Sequence, residues 1–319
     1  MESLGDILKT MPEMRRPKKR LPPPLTPAIE KLVAASIEIR TYPDAIERAF
    51  MARQLVQCTL PHSNPGNVPV WTRRNGNSLL TLQPGSRQGK VLGYPYGVLP
   101  RLLLFWLVTE AVQGKQRRIY LGKSLATFMR QLGLDPGRGG KRSDATRLKN
   151  QMDRLFRARI GFERVTSVSP NVMEEEWVDM PVGSETHFWW DVKNPSQDTI
   201  WESWVELGEK FFEAITAYPV PADMRALRAL KNSALALDLY VWATYRVHQV
   251  NKKRAAQFIP WDGLMGQLGS EYSNVKDFKR KAKAALHKVR GVYPALKISQ
   301  SNGGFLLHPG PTAVPPALA

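Results

Sequence analysis

His287 and Arg290 stand three residues apart in "HKVR", the spacing with which a tyrosine recombinase activates a DNA phosphate. That chemistry also needs a nucleophilic tyrosine some tens of residues further on, and after Tyr293 the chain has none. The stretch "GRGGKRS" at 137–143 has the glycines of a phosphate-cradling loop. A P-loop needs Gly-Lys followed directly by Ser or Thr, and here Arg142 intervenes. The histidines, His62, His187, His248, His287 and His308, are far apart in sequence, so the His-hydrophobic-His metal pair of a DNA-nicking enzyme is missing. The single cysteine, Cys58, excludes an intrachain disulfide and a cysteine-based metal cluster. Glu174, Glu175 and Glu176 lie between two strand-like stretches, where they serve solubility or partner contacts better than acid and base catalysis. The expectation is a chain with no catalytic residue, no metal site and no cofactor.

What remains is the chemistry of recognition. With 46 Lys and Arg against 28 Asp and Glu, a formal charge of +18, the surface field gathers polyanions. Nucleic acid is the first candidate and an anionic membrane surface the second. Cations and amides concentrate on two predicted helices. At about 100° per residue, the outward positions of the first are Ser143, Thr146, Arg147, Asn150, Arg154 and Arg157, flanked by Lys141, Arg142 and Lys149. Those of the second are Ser273, Lys276, Asp277, Arg280, Ala284 and His287, flanked by Lys281, Lys283 and Lys288. Arg, Asn and Thr reach base edges in a major groove, while flanking Lys and Arg meet phosphates.

The elements that position these helices are written twice. "MRQLGL" at 129–134 returns as "MGQLGS" at 265–270. A shift of 136 residues (265 − 129) also superposes Leu103 on Leu239, Trp106 on Trp242 and Gln131 on Gln267. After the longer loop "LDPGRGGKR" the shift drops to 130, which sets Ser143 on Ser273, each where a helix N-cap belongs. Apolar stripes follow in both copies: Ala145, Leu148, Met152, Leu155, Phe156, and Val275, Phe278, Ala282, Ala285, Leu286. The outward residues differ between copies, so the two modules are expected to read different sequences.

Around each copy the order is helix, short strand, helix, helix, hairpin, that of a winged helix. In the first module the wing is expected in "IGFERVTSV" and "ETHFWWDV", with the acidic run "NVMEEEW" at its tip; in the second it is "LKISQSNGGFLLHP", turning at Asn302-Gly303. The predicted fold class is α+β: two tandem winged-helix domains with an N-terminal basic arm and a β-rich extension. Residues 1–27 form the basic, proline-rich arm. Residues 28–219 form the first winged-helix domain with an N-terminal helical and β extension, for dimerisation and DNA binding; 220–319 form the second, joined through "AITAYPVPADM". From 28 to about 50 a helical pattern runs through Ile29, Val33, Ile37, Ala45 and Phe50, broken at Pro43, and precedes short β-type segments, "QLVQCTLP" among them. Within this β-rich region, residues 51–92 are a candidate dimer contact through an exposed strand edge. Trp106, Trp189, Trp190, Trp201, Trp204 and Trp242 are expected in the cores. The longest apolar run, "VLPRLLLFWLV", is too short to cross a bilayer, and the N-terminus lacks a secretory pattern, so a soluble, cytoplasmic protein is expected.

The stretches "YGVLPRLLLFWLVTEAV", "RRIYLGKSLATFMRQLGL", "MDRLFRARIGFE" and "LRALKNSALALDLYVWATYR" resemble the RepA-type plasmid replication initiators, which are similar in architecture to the iteron-binding initiators with tandem winged helices. The likeness covers roughly residues 90–300. It implies a bacterial protein that binds direct repeats at a plasmid origin, opens adjacent A·T-rich DNA and helps load the host helicase. It also implies a homodimer that becomes a monomer on the repeats, contact with the host replication initiator, and repression of its own gene. A transcriptional repressor without initiator activity is the alternative.

Overall fold

The computed structural model describes residues 26–137, 143–169, 172–189, 196–198, 202–268 and 272–315. Most of the basic arm, together with Lys141 and Arg142, lies outside them.

The first module follows the predicted order. After the N-terminal helices α1 (Pro27–Thr41) and α2 (Arg53–Gln57), helix α3 (Val98–Gly114) is apolar almost all round and is the spine of the core, buried from Leu99 to Thr109. Strand β6 (Arg118–Gly122), helix α4 (Leu125–Gln131) and helix α5 (Asp144–Phe156) follow. Ser124 caps α4 by accepting from Thr127 N, and Trp106 packs edge-on against Phe128 at 4.9 Å between ring centres.

The wing of this module is not the acidic hairpin. Strands β7 (Arg159–Ser169) and β8 (Val172–Pro181) extend a separate sheet in the order β2-β3-β7-β8, with β2 (Trp71–Asn75) and β3 (Ser78–Gln83). The wing proper is β9 (Gly183–His187) and β10 (Ser203–Leu207), which join β6 in the order β6-β10-β9. Hairpin β7–β8 is an insertion between the recognition helix and the wing, so the wing lies one hairpin later than the strand pattern predicts. Alternation alone cannot say which strand pairs with β6.

Helix α6 (Glu209–Ala217) closes the first module, and in the second, helix α7 (Met224–Leu230) and helix α8 (Ala234–Lys253) replace a single expected helix. Ser233 ends the run by capping α8, its hydroxyl accepting from Ala236 N. Strand β12 (Gln257–Pro260), helix α9 (Trp261–Leu268), helix α10 (Val275–Val292) and the hairpin β13 (Ile298–Ser301) and β14 (Gly304–Leu307) complete it. The sheet order β12-β14-β13 repeats β6-β10-β9, and Gly303 takes the φ of 72° that the wing turn needs. Trp242 fills the position of Trp106, packing on Phe305 and donating Nε1–H to Gln267 Oε1 at 3.0 Å. The two tandem winged helices are thus built on one plan.

The joint between them is ordered. Strand β11 (Pro219–Asp223), the expected linker, pairs antiparallel with β1 (Arg48–Ala52), and Phe50 stands in that strand rather than in a helix. Helix α2 (Arg53–Gln57) occupies the expected strand "QLVQC", and Gln57 donates to Tyr245 Oη at 3.0 Å. Strand β2 lies against α9, and β8 is the opposite outer strand of that four-stranded sheet. Helix α1 (Pro27–Thr41) packs on α7 and α10 through Leu32, Ala35 and Ile39, not through the predicted stripe. Ile29, Val33 and Ile37 are 43–60% exposed.

Candidate nucleic-acid interface

Both recognition helices bury most of the stripe that the spacing predicts; Ala145 is half-buried, and Val275, in the first turn of α10, is exposed. On α5, Leu148, Met152, Leu155 and Phe156 are buried, and on α10, Phe278, Ala282, Ala285, Leu286 and Val289. Each fully buried Leu or Phe of these stripes contributes about 1.5–3 kcal/mol, which fixes the rotation of each helix and turns its opposite side to solvent.

On α5, Ser143 is the N-cap, as its position demands. Its hydroxyl accepts from Thr146 N at 3.2 Å and lies 3.0 Å from the Thr146 hydroxyl, so Ser143, expected to face outward, is buried and committed to the helix start. Thr146, Arg147 and Asn150 are exposed, and Lys149 is half-buried. Arg147 Nη1 lies 3.2 Å from Asp144 Oδ1 in an exposed pair that DNA phosphates can displace.

Arg154, half-buried, and Arg157, exposed, both make contacts within the protein as well. Residues 84–96 run as a strap along the helix and contain a small hairpin, β4 (Ser86–Arg87) and β5 (Lys90–Val91). Arg154 Nη1 donates to Tyr94 O at 3.1 Å, and its guanidinium stands 5.4 Å from the centre of the Tyr96 ring. Arg157 Nη1 reaches Ser86 O at 3.5 Å, and Arg87 bonds Asp153 at 3.2 Å. A Cβ on Gly85 would fall 2.2 Å from Arg157 O, so only glycine lets the strap seat against the end of α5. Gln151 Oε1 accepts from Tyr96 N at 3.0 Å and closes the seam. A helical wheel cannot reveal this strap, since its residues lie some sixty positions upstream.

On α10 the N-cap is Asn274, one residue later than the expected Ser273. Asn274 Oδ1 accepts from Asp277 N at 2.8 Å, while Ser273 is exposed beside it. Asp277 is half-buried in the first turn, where a carboxylate suits the helix dipole, and lies 3.6 Å from Arg280 Nη2. Lys276, Arg280, Lys281, Lys283, His287 and Lys288 are all exposed. Lys279 and Arg290 are exposed too, cations that the outward-position count left out and that widen the basic surface. This face is broader and more cationic than that of α5.

The acidic residues Glu174, Glu175 and Glu176 are exposed on the inserted hairpin. Of the tryptophans expected in cores, Trp106 and Trp242 are buried, whereas Trp189 is 48% exposed. Trp204 lies on the outer face of the wing sheet between the Arg118 guanidinium at 4.1 Å and the His187 ring at 4.6 Å. Trp190 and Trp201 fall outside the described residues. Among the described residues no cluster of His, Cys, Asp and Glu could hold a metal ion, and no helix is long and apolar enough to cross a membrane.

The two winged helices thus each present a solvent-facing helix that carries exposed cations. The model of the family described as plasmid encoded RepA protein matches residues 94–263, and the chain belongs to that family of replication initiators. Among solved structures, a crystal structure of selenomethionine derivatives of domain 2 and domain 3 of RctB is similar over 80% of this chain and 95% of that one, with a TM-score of 0.49 and 13% identity. A second crystal structure, of RctB domains 2–3, is similar over 80% and 94%, with a TM-score of 0.48 and 11% identity. No curated protein sequence matches the chain significantly.

Proposed function

We propose that this chain initiates plasmid replication by seating α5 and α10 in successive major grooves of direct repeats at the origin. The observation that carries the reading is the second recognition helix. Lys276, Arg280, Lys281, Lys283 and Lys288 are exposed on its outward side and flanks, while Phe278, Ala282, Ala285, Leu286 and Val289 are buried on the other. Arg147, Asn150 and Thr146 are the base-reading candidates of the first module, and Arg280 with Lys276 and His287 those of the second. The reading has no catalytic step and no cofactor. In the bacterial cytoplasm the protein moves from homodimer to repeat-bound monomer, opens adjacent A·T-rich DNA and engages the host helicase and initiator. The dimer represses its own gene.

Grooves on one face of a duplex recur every ~10.5 base pairs, so a repeat gripped by both modules spans about 20 base pairs. Footprinting on the origin should protect two turns of each repeat, and protection of a single turn overturns joint engagement. A plasmid carrying only the repeats should replicate when the protein is supplied in trans. If it binds and represses without supporting replication, the protein is a transcriptional repressor.

A further inference from the structure

Arg101 on α3 of the first module and Asp238 on α8 of the second form a two-point salt bridge, with Nε–Oδ1 2.7 Å and Nη2–Oδ2 2.8 Å. Their side chains are 3% and 8% exposed. The other three guanidinium hydrogens go to the carbonyls of Leu60 at 2.7 Å, Pro61 at 3.0 Å and Gly97 at 2.6 Å. All five donors of Arg101 are therefore used. His62 Nε2 holds Asp238 Oδ2 at 2.8 Å from the other side. Because the ionised carboxylate only accepts, that imidazole nitrogen carries the hydrogen.

A buried pair of this kind is weak evidence for stability, since apolar residues would fill the joint as well. What it supplies is direction: the planar fork accepts one distance and one orientation, whereas an apolar contact tolerates rotation. The geometry reaches the recognition helices through packing, because α5 rests on α3 and α10 rests on α8. A turn at this joint becomes a displacement of one recognition helix along the duplex, where base pairs recur every ~3.4 Å.

We infer that Arg101 and Asp238 are positioning residues that set the spacing between the two half-sites one chain can engage. The inference rests on the two-module reading above. The β1–β11 pairing and the Gln57–Tyr245 bond also join the modules, so the chain holds together when the pair is replaced.

The test uses the full chain with R101M/D238L, which keeps the joint filled. Spin labels at Arg147→Cys and Lys283→Cys report the separation of the recognition helices by pulsed EPR without DNA. With the native pair the distance distribution should be narrow, and the double variant should broaden it at least twofold. On duplexes with one, two or five base pairs inserted between the half-sites of the footprinted repeat, the native pair should lose tenfold or more in affinity at the first insertion. The variant should lose under threefold, with its affinity for an isolated half-site unchanged. Equal distribution widths and equal spacing profiles, with only the melting temperature altered, overturn the inference. If the double variant does not fold, Arg101→Lys keeps the charge but loses the fork; it must broaden the distribution, and an unchanged width overturns the inference. If the chain with its native pair is indifferent to insertions, joint engagement fails, and the EPR widths still judge the pair.

Discussion

Arg154, on the recognition helix of the first module, donates to the backbone carbonyl of Tyr94 at 3.1 Å and so ties the helix to the strap that runs beside it. The half-buried cation is thus held by the protein's own backbone. Arg154→Ala should destabilise the fold by about 1–2 kcal/mol, through the lost bond and the lost packing of its stem. A thermal melt reads the stability. Gel-shift titrations should show cognate and non-cognate DNA weakened alike, and a loss confined to the cognate repeat would return Arg154 to the base readers.

Asn150, one turn earlier on the same helix, is exposed. Asn150→Ala should cost about 1–3 kcal/mol on the cognate repeat and little on unrelated duplex, with no change in melting temperature. Competition titrations against non-cognate DNA check it. Equal losses on both would make Asn150 a backbone contact.

Lys281 and Lys283 flank the outward side of α10, and both are exposed. Each Lys→Ala change should weaken binding to all sequences and reduce the slope of log K against log salt by about 1, the counterion yield of one phosphate contact. A slope unchanged across a salt series would place both lysines off the DNA.

His62 is buried against Asp238, and burial is the larger influence, pushing its imidazole below the usual histidine range despite the carboxylate. Burial would raise Asp238, but the Arg101 guanidinium and the His62 bond outweigh it and hold the carboxyl at about 2. Below about pH 6.5 the unfolded chain protonates His62 while the folded chain does not, so stability falls with pH in that window. Asp238 contributes stability that is fully present above about pH 4 and is lost as pH falls toward 2. His62→Gln should flatten the decline in melting temperature between pH 7.5 and 5.5; an identical decline would show that His62 does not drive it.

Cys58 is buried at 1% exposure, and burial pushes its thiol up to about 11. In the native state it should resist a disulfide reagent at pH 8 for hours and react fully in denaturant. Rapid labelling of the folded chain would mean that the segment around α2 opens readily.

The sequence carried the two-module plan, because an amphipathic helix writes its buried side into the spacing of its residues. Leu148, Met152 and Leu155 lie where that spacing puts them, as do Phe278, Ala282 and Ala285. The cap at Ser143 and the turn at Gly303 were equally legible, since each is set within a few residues of itself. Tertiary structure alone decided what depends on partners distant in the chain. It gave the wing to β9–β10 rather than β7–β8, tied Arg154 to residues 84–96, and set Arg101 against Asp238, 137 positions away. The physical reason is that local periodicity records which side of an element is apolar. Which other element covers that side, and which cation is thereby taken out of solvent, is fixed only when the whole core packs.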